Sequence, residues 1–261
     1  MVIRRFSAGA GAATEAGAGA AAEAAWIGAV ARDLEAAQAR AAAEGRGAEI
    51  LLSGGSTPEP VYRALASLPL RGPRIRLWLG DERLVPVDDP ARNGGLIGRC
   101  FSRVAWEGGV EFVSWPAGSR EETLGGFSAL LSGALGDSPR FDLALLGIGD
   151  DGHTAGLFPG DPGSAAALAR EPSGTIAPTS AGAKVAFATL APKEPRQRVS
   201  LGLEALARSR ILRFLTRGAM KDGVLSLIVS EGGQSYPARQ VADRAAELGA
   251  DLAFYHLEAG A

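Results

Sequence analysis

The sequence predicts a doubly wound α/β/α sandwich with a mostly parallel central sheet, built as a single domain. Short apolar runs alternate with helical stretches, which is the element order of parallel strands joined by helices. The predicted strands are apolar almost throughout, as in strands that are covered on both faces. With 261 residues and 46% hydrophobic content, the chain can bury one large core.

The N-terminal 20 residues are rich in Ala and Gly, and we expect a flexible segment over 1–20 ahead of an α/β domain over 21–261. Glycine lowers helix propensity in this segment. A helix is then predicted over 20–43, because large apolar residues recur there at three-to-four spacing and give one buried stripe. These residues are Trp26, Ile27, Val30 and Leu34.

The remaining elements follow from the same patterns. Gly45 and Gly47 end the first helix. Apolar runs predict strands, and the helical periodicity between them predicts helices. Strands are predicted over 48–55, 74–80, 141–149, 184–191, 210–218 and 251–257, and helices over 57–68, near 200–207 and over 219–229.

Charge and cysteine content exclude several classes of protein. The 27 basic and 29 acidic side chains leave a net charge of −2, so we expect no nucleic-acid partner. The single cysteine, Cys100, can form no internal disulfide and has no metal-ligand spacing, which favours a metal-free protein of the reducing cytoplasm. The first residues lack the apolar core of a signal peptide, and no run of about 18 apolar residues occurs, so no membrane partner is expected.

The first candidate segment is LSGGSTP, because ligands of such sheets bind at the carboxyl ends of the strands. Gly54 and Gly55 directly follow a predicted strand. Ser56 and Thr57 stand at the start of the next helix. Backbone N–H groups and hydroxyls that converge on a helix start predict a phosphate cradle, with a plain capped glycine turn as the alternative. No GK[ST] follows, which excludes a Walker A loop.

The second segment, GDERLVP, closes the next strand with three adjacent charges, Asp81, Glu82 and Arg83. Such charges are costly inside a core, so we expect them at the strand end. Arg83 would then lie beside the cradle and could bind a phosphate through two hydrogen bonds. A solvated loop is the alternative.

The third segment, LGIGDDGHTAGLFPG, contains a GxGxxG pattern formed by Gly147, Gly149 and Gly152. This pattern formally matches the dinucleotide fingerprint of NAD-binding oxidoreductases. The fingerprint needs a long helix next, however, and Pro159 cuts any helix short. The match is therefore weak.

Instead, we expect these glycines to bring the backbone close to a small ligand and to aim Asp150, Asp151 and His153 into a cleft. Imidazole changes its charge near neutral pH, which makes His153 the candidate acid-base group. A lone histidine is more often structural. A histidine in a Gly-rich loop at a strand end, however, has few buried groups to pack against, which favours a functional role. His256, in the apolar strand DLAFYHL, and Cys100 are assigned to packing.

Two cations stand at predicted helix starts, Arg198 in PRQRVSL and Lys221 in GAMKDG. A cation there opposes the helix dipole unless an anion is bound beside it. Both are therefore candidate phosphate ligands, with ordinary surface cations as the alternative.

Taken in order, these segments resemble the 6-phosphogluconolactonase family. The resemblance covers about residues 50–225, includes Asn93, and is most specific at DGHTAGLFPG. It implies a Rossmann-like sandwich and the hydrolysis of 6-phosphogluconolactone without a metal or organic cofactor. The chain departs from the usual family pattern at Arg92, Gly156 and Gly202, and none of these departures removes an ionisable group that the reaction needs.

The resemblance also implies roles for the candidate residues. We expect the cradle, Arg83, Arg198 and Lys221 to hold the 6-phosphate and so place the lactone carbonyl near His153. His153 would take a proton from the attacking water and hand it to the leaving ring oxygen. The sequence leaves open whether Asp81 or Asp151 orients the imidazole or the water. Backbone N–H groups of a Gly-rich loop are candidates for stabilising the oxyanion.

Two other functions stay open at this point. An aminosugar-phosphate deaminase or isomerase would carry a glutamate shortly after the histidine, where this chain has AGLFPG. A non-catalytic sugar-phosphate sensor would normally carry a helix-turn-helix segment ahead of the domain, which the Ala/Gly-rich N-terminus does not provide. In every case we expect a small phosphosugar partner and a monomer or weak homo-oligomer.

Overall fold

A central parallel sheet dominates the computed structural model, which describes residues 1–7, 15–68, 74–106, 109–136, 138–170 and 185–258. Apolar runs rich in Leu, Ile, Val and Phe form its strands, and most of their side chains are buried. In chain order the strands are β1 (Val2–Phe6), β2 (Ala48–Leu52), β3 (Ile75–Leu79), β4 (Asp81–Arg83), β5 (Val110–Val113), β6 (Phe141–Gly147), β7 (Ala186–Leu190), β8 (Gln197–Leu201), β9 (Ser209–Arg217) and β10 (Asp251–Leu257).

Seven of these strands form the central sheet, in the order β1-β10-β9-β6-β2-β3-β5. Each strand pairs in parallel with its neighbours. The predicted sandwich with a mostly parallel central sheet is thereby confirmed. Because the strands are parallel, the loops that follow β2, β3, β6 and β9 all leave from the same edge.

Helices cover both faces of this sheet. Their bounds are α1 (Glu15–Ala43), α2 (Glu59–Leu65), α3 (Asn93–Trp106), α4 (Arg120–Leu135), α5 (Pro162–Ala167), α6 (Leu203–Ala207), α7 (Met220–Val229) and α8 (Pro237–Glu247), with a 3₁₀ turn over Glu231–Ser235. None of the described helices is both long and apolar enough to cross a membrane.

Side-chain alternation along the strands shows which helix lies on which face. Arg213 of β9 forms an ion pair with Asp33 of α1 at 2.9 Å, so α1 covers that face. Trp78 of β3 points the opposite way and packs edge-on against Phe127 of α4, with ring centroids 6.0 Å apart. The core therefore has two layers, one on each side of the sheet.

A second, three-stranded sheet in the order β4-β8-β7 extends from the carboxyl edge of β3. Its pairs are antiparallel. We predicted β7 as a strand of the parallel sheet and Arg198 at a helix start, and both predictions were wrong. An apolar run does not reveal which sheet it joins, and Arg198 lies in β8, with helix α6 beginning only at Leu203.

The N-terminus also differs from the expectation. Val2–Phe6 forms an edge strand paired with β10, and α1 begins at Glu15, not near residue 20. The predicted boundary at residue 20 thus falls inside a helix. Alanine has the highest helix propensity, so the alanines around Gly17 and Gly19 offset the glycines, and Ala18 and Ala22 are buried. Residues 8–14 of the predicted segment lie outside the described ranges.

Several elements had not been predicted, namely β1, β4, β5, β8, α3, α4, α5 and α8. The segment of α4 contains adjacent glycines at 125 and 126, which weaken its helical pattern, yet a capping box at Ser119 and Glu122 starts the helix. Helix α3 likewise opens on Asn93-Gly94-Gly95, a sequence more typical of a turn.

Candidate active site

A cleft lies at the carboxyl edge of the central sheet, above the ends of β2, β3 and β6. It encloses about 650 Å³, including the solvent at its mouth. Its described lining consists of residues 53–58 after β2, Asp81 and Arg83 of β4, Asn93 at the start of α3, residues 147–149, His153 and Ala155. The structure therefore brings the predicted cradle, Arg83 and His153 to one cavity.

Residues 54–57 form the floor of the cleft with their backbone. None of the four N–H groups donates a hydrogen bond to another described residue. Gly54 passes so close to Asn93 that a Cβ atom would lie 1.9 Å from its Oδ1 atom, and Gly55 has a φ of +98°. Glycine is thus required at both positions, and the loop offers free donors to an anion.

Helix α2, which follows the loop, has only seven residues and no side-chain cap at its N-terminus. The hydroxyl capping by Ser56 or Thr57 that the alternative interpretation required is not present. The contribution of the helix dipole is accordingly small, so any attraction for an anion at this loop would come mainly from the loop N–H groups.

His153 faces the cleft, with 34% of its side chain exposed. Its Nδ1 atom lies 2.5 Å from Asp151 Oδ1, which also accepts the His153 backbone N–H at 3.1 Å. Burial raises the pKa of Asp151, but the hydrogen bond and charge of His153 outweigh burial and leave that pKa below its usual value. When Nδ1–H donates to an ionised Asp151, the neutral ring carries its lone pair on Nε2.

Tight packing of the glycine loop fixes the imidazole. A Cβ atom on Gly149 would lie 2.0 Å from His153 Nδ1, and one on Gly152 would lie 2.3 Å from the ring of Tyr236. Gly149 N–H donates to His153 O at 2.9 Å and Gly152 N–H to Gly149 O at 3.0 Å. These two N–H groups are therefore engaged, and neither is free to stabilise an oxyanion.

Asp81 lies deeper in the cleft and contacts Asn93 instead of His153. Asn93 Nδ2 donates to Asp81 Oδ2 at 3.2 Å and to its carbonyl at 3.1 Å. Burial raises the pKa of Asp81, although the charges of Arg83, Arg198 and His153 oppose the shift. Of the two candidate carboxylates, only Asp151 is hydrogen-bonded to the imidazole.

Arg83 and Arg198 stand opposite each other on β4 and β8. Arg198 is only 8% exposed, yet its Nε and Nη1 atoms have no hydrogen-bond partner in the described part of the chain, and neither has Arg83 Nε. Burial, and then the charge of Arg83, lower the pKa of Arg198. Two adjacent guanidinium groups with unused donors indicate a site for an anion.

Lys221 is placed differently from the expectation. Its Nζ atom donates to Ile148 O at 2.8 Å and to Asp150 Oδ1 at 2.5 Å, and it is not among the described residues that line the cleft. Asp150, which we expected to point into the cleft, is largely exposed. Its hydrogen bond from Lys221 lowers the pKa of the Asp150 carboxyl. The pair anchors the glycine loop from outside.

Five lining residues escaped the site prediction: Ser53, Pro58, Asn93, Ile148 and Ala155. The signal for Asn93 was the family pattern, to which it belongs. Ser53 directly follows β2 and its Oγ atom is buried without a partner among the described residues. Ser53 and Ile148 directly follow β2 and β6, and residues in this position lie at the edge of a parallel sheet where ligands bind, so both could have been predicted.

The unusual Gly156 is explained by its neighbour. A Cβ atom there would lie 2.9 Å from Ser200 Cβ, while the Gly156 N–H donates to Ser200 Oγ at 3.1 Å and its carbonyl accepts from Thr189 Oγ1 at 2.6 Å. The glycine thus fits where β8 approaches the loop.

No group of three or more His, Cys, Asp or Glu side chains in the described ranges could hold a metal ion.

Comparison with known families and proteins gives a consistent result. A family model described as glucosamine-6-phosphate isomerases/6-phosphogluconolactonase matches residues 21–249. A 6-phosphogluconolactonase from Synechocystis is 33% identical over 213 residues, which cover 77% of this chain and 80% of the relative. One from Pseudomonas putida is 35% identical over 191 residues, or 73% of each chain.

Solved structures show the same fold. The crystal structure of a 6-phosphogluconolactonase from Shewanella baltica superposes with a TM-score of 0.74 at 22% identity, and the match covers 99% of this chain and 97% of the other.

Proposed function

The chain belongs to the glucosamine-6-phosphate isomerase/6-phosphogluconolactonase family, and on that premise we propose that it hydrolyses 6-phosphogluconolactone to 6-phosphogluconate in the pentose phosphate pathway. It is a carboxylic ester hydrolase. One observation carries the choice of reaction: an imidazole paired with a carboxylate at 2.5 Å shares a cleft with a loop of four free N–H groups.

Substrate binding rests on the phosphate. The N–H groups of residues 54–57 donate to the phosphate oxygens, and Arg83 supplies positive charge from the side of the cleft. Arg198 stands beside Arg83 and adds a second charge. Binding at this end places the lactone carbonyl at the His153 end, so that the reaction becomes effectively intramolecular.

Catalysis then needs one acid-base group. His153 Nε2 takes a proton from water as the water oxygen forms a bond to C1, and the carbonyl becomes an oxyanion. When the carbonyl re-forms, the bond between C1 and the ring oxygen breaks, and the imidazolium gives its proton to that oxygen. The products are a hydroxyl and a carboxylic acid, which loses its proton to solvent. No cofactor takes part.

Asp151 orients the ring and stabilises the imidazolium, because it is the carboxylate that contacts Nδ1. Asp81 contributes negative charge from below and holds Asn93 in place. Lys221 serves the reaction by fixing Ile148 and Asp150, since binding phosphate would require it to leave both partners.

The related deaminase or isomerase reaction is the second candidate, because the family includes both activities. It needs an additional acid-base carboxylate shortly after the histidine, and residues 154–160 contain none. Incubation with glucosamine 6-phosphate should therefore release no ammonia. A sugar-phosphate sensor would bind the lactone and turn nothing over.

The proposed reaction involves only a phosphosugar lactone and water. We place it in the reducing cytoplasm, with neither a nucleic-acid nor a membrane partner, because the chain has one cysteine and a net charge of −2. We propose a monomer or weak homo-oligomer.

The decisive experiment measures hydrolysis of freshly generated 6-phosphogluconolactone by wild type and His153→Ala. We expect kcat to fall by about 10²- to 10⁴-fold, the range of general acid-base catalysis. The matched control is His256→Gln, because His256 is buried in β10 and bonded to Thr216, outside the cleft. Equal activity of wild type and His153→Ala would refute the proposal, as would wild-type protein that binds the lactone without hydrolysing it.

A further inference from the structure

Glu82 is a buried carboxylate that the proposed reaction does not use. It lies between Asp81 and Arg83 on β4, and both of these neighbours line the cleft. Successive side chains of a strand point to opposite sides, so Glu82 points away from the cleft. Its side chain is only 1% exposed. A buried charge of this kind must be compensated by hydrogen bonds or an ion pair.

Three backbone N–H groups provide that compensation. Glu82 Oε1 accepts from Arg83 N and from Asn93 N, each at 2.7 Å, and Oε2 accepts from Gly94 N at 2.8 Å. Arg92 Nε lies 3.5 Å from Oε2 and supplies the counter-charge. The carboxylate thus joins two segments, β4 and α3, that are separated by the nine loop residues 84–92.

Helix α3 depends on these bonds at its first turn. The first N–H groups of a helix have no acceptor within the helix, and a side chain normally caps them. Here the cap for Asn93 and Gly94 comes from β4. Burial raises the pKa of Glu82, while the three backbone hydrogen bonds oppose this.

Both segments that Glu82 joins end in the cleft. Arg83 lines it from β4, and the Asn93 amide contacts Asp81 and presses against Gly54 of the phosphate-binding loop. A shift of α3 by a fraction of an ångström would therefore move Asn93 against that loop, since no Cβ-sized space separates them.

We propose that Glu82 is a positioning residue: it fixes Arg83 and Asn93, and through Asn93 the loop over 54–57, in the geometry that binds the phosphate end of the substrate. This inference rests on the proposed function for the identity of that substrate. It predicts that loss of the carboxylate weakens substrate binding more than it slows the chemical step, because the His153 loop is attached elsewhere, through Lys221 and Tyr236.

The test compares wild type, Glu82→Gln and Glu49→Gln. Glutamine keeps the size of Glu82 but replaces one acceptor oxygen with an amide donor, which faces the Gly94 N–H or Arg92. Glu49 is the matched control: it is a half-buried carboxylate on β2 that binds Trp78 Nε1 at 2.6 Å and Arg76, away from the cleft. Steady-state kinetics and thermal unfolding are measured for each.

For Glu82→Gln we expect KM to rise about 10- to 100-fold, as for a misplacement of about 1 Å, with kcat within about threefold of wild type. Glu49→Gln should change Tm but not KM. A Glu82→Gln protein with a lower Tm and unchanged KM would overturn the proposal, because Glu82 would then be merely structural. A fall in kcat at constant KM would overturn it as well.

Two further measurements keep the outcomes distinct. If wild type does not hydrolyse the lactone, the proposed function fails, and calorimetric titration with inorganic phosphate replaces the kinetics: weaker binding by Glu82→Gln supports the positioning role, and equal binding overturns it. If Glu82→Gln does not fold, Glu82→Asp takes its place, because it keeps the charge beside Arg92 but draws the carboxylate back by one methylene.

Discussion

Replacing Asp151 by Asn tests the assignment of the histidine's partner. The amide oxygen of Asn can still accept a hydrogen bond from Nδ1, so the tautomer and the ring orientation are retained. What is lost is the negative charge that stabilises the imidazolium during the reaction. Because the pKa of Asp151 lies below its usual value, this charge is present throughout the neutral pH range.

The size of the effect follows from the contact. Unit charges about 4 Å apart interact by about 4 kcal/mol at an effective dielectric constant of about 20. The two side chains are 34% and 39% exposed, and solvent screening at this exposure removes half or more of that energy. A residual of about 1.4 to 2 kcal/mol predicts a fall in kcat of about 10- to 30-fold.

The assay is steady-state hydrolysis of the lactone at neutral pH. KM should stay within about threefold, since the phosphate-binding residues are untouched. Asp243→Asn is the control, because Asp243 pairs with Arg239 on α8 and is not among the described lining residues. Wild-type activity of Asp151→Asn, or an equal loss in Asp243→Asn, would refute the reasoning.

Three other changes probe the site. Arg198→Met should raise KM about 10- to 100-fold while Tm stays level or rises, because a buried guanidinium whose Nε and Nη1 atoms have no hydrogen-bond partner among the described residues opposes folding; a marked fall in Tm would contradict this. Gly149→Ala should lower kcat at least about 100-fold by displacing His153, whereas Gly98→Ala, with open space around its Cβ position in α3, should keep activity and raise Tm. Asp81→Asn should stabilise the protein at pH 7 but not below about pH 4: the raised pKa means that the folded state resists the ionised carboxylate, and this penalty vanishes once both states are protonated. Thermal unfolding across that range checks the sign.

Much of the site could be predicted because parallel strands bring their carboxyl ends to one edge. The loop over 54–57, Arg83 and His153 are far apart in sequence, yet each follows a strand, and the structure places them in one cleft. The family pattern added the order of the segments and Asn93.

What could not be predicted depends on contacts between distant segments. Asp151 and not Asp81 is the partner of the imidazole because Asp151 Oδ1 lies 2.5 Å from His153 Nδ1 within the loop. Lys221 is held outside the cleft by its hydrogen bonds to Ile148 O and Asp150 Oδ1. Arg198 was expected at a helix start because it precedes the helix predicted near 200–207, but pairing with β4 and β7 makes it part of a strand. Tertiary pairing overrides local propensity in such short segments.

Glu82 illustrates the same limit. In sequence it is one of three adjacent charges, and nothing local separates it from Asp81 and Arg83. Only the pairing of β4 with β8 determines which two side chains face the cleft and which one caps α3.

The central claim is that the phosphate and the lactone carbon bind at opposite ends of one cleft, and a crystal structure with bound 6-phosphogluconate tests it most directly. Phosphate oxygens should lie about 3 Å from the N–H groups of residues 54–57 and from a guanidinium nitrogen of Arg83, with the C1 carboxylate within hydrogen-bond reach of His153 Nε2. A product bound with its phosphate at His153, or outside this cleft, would contradict the account.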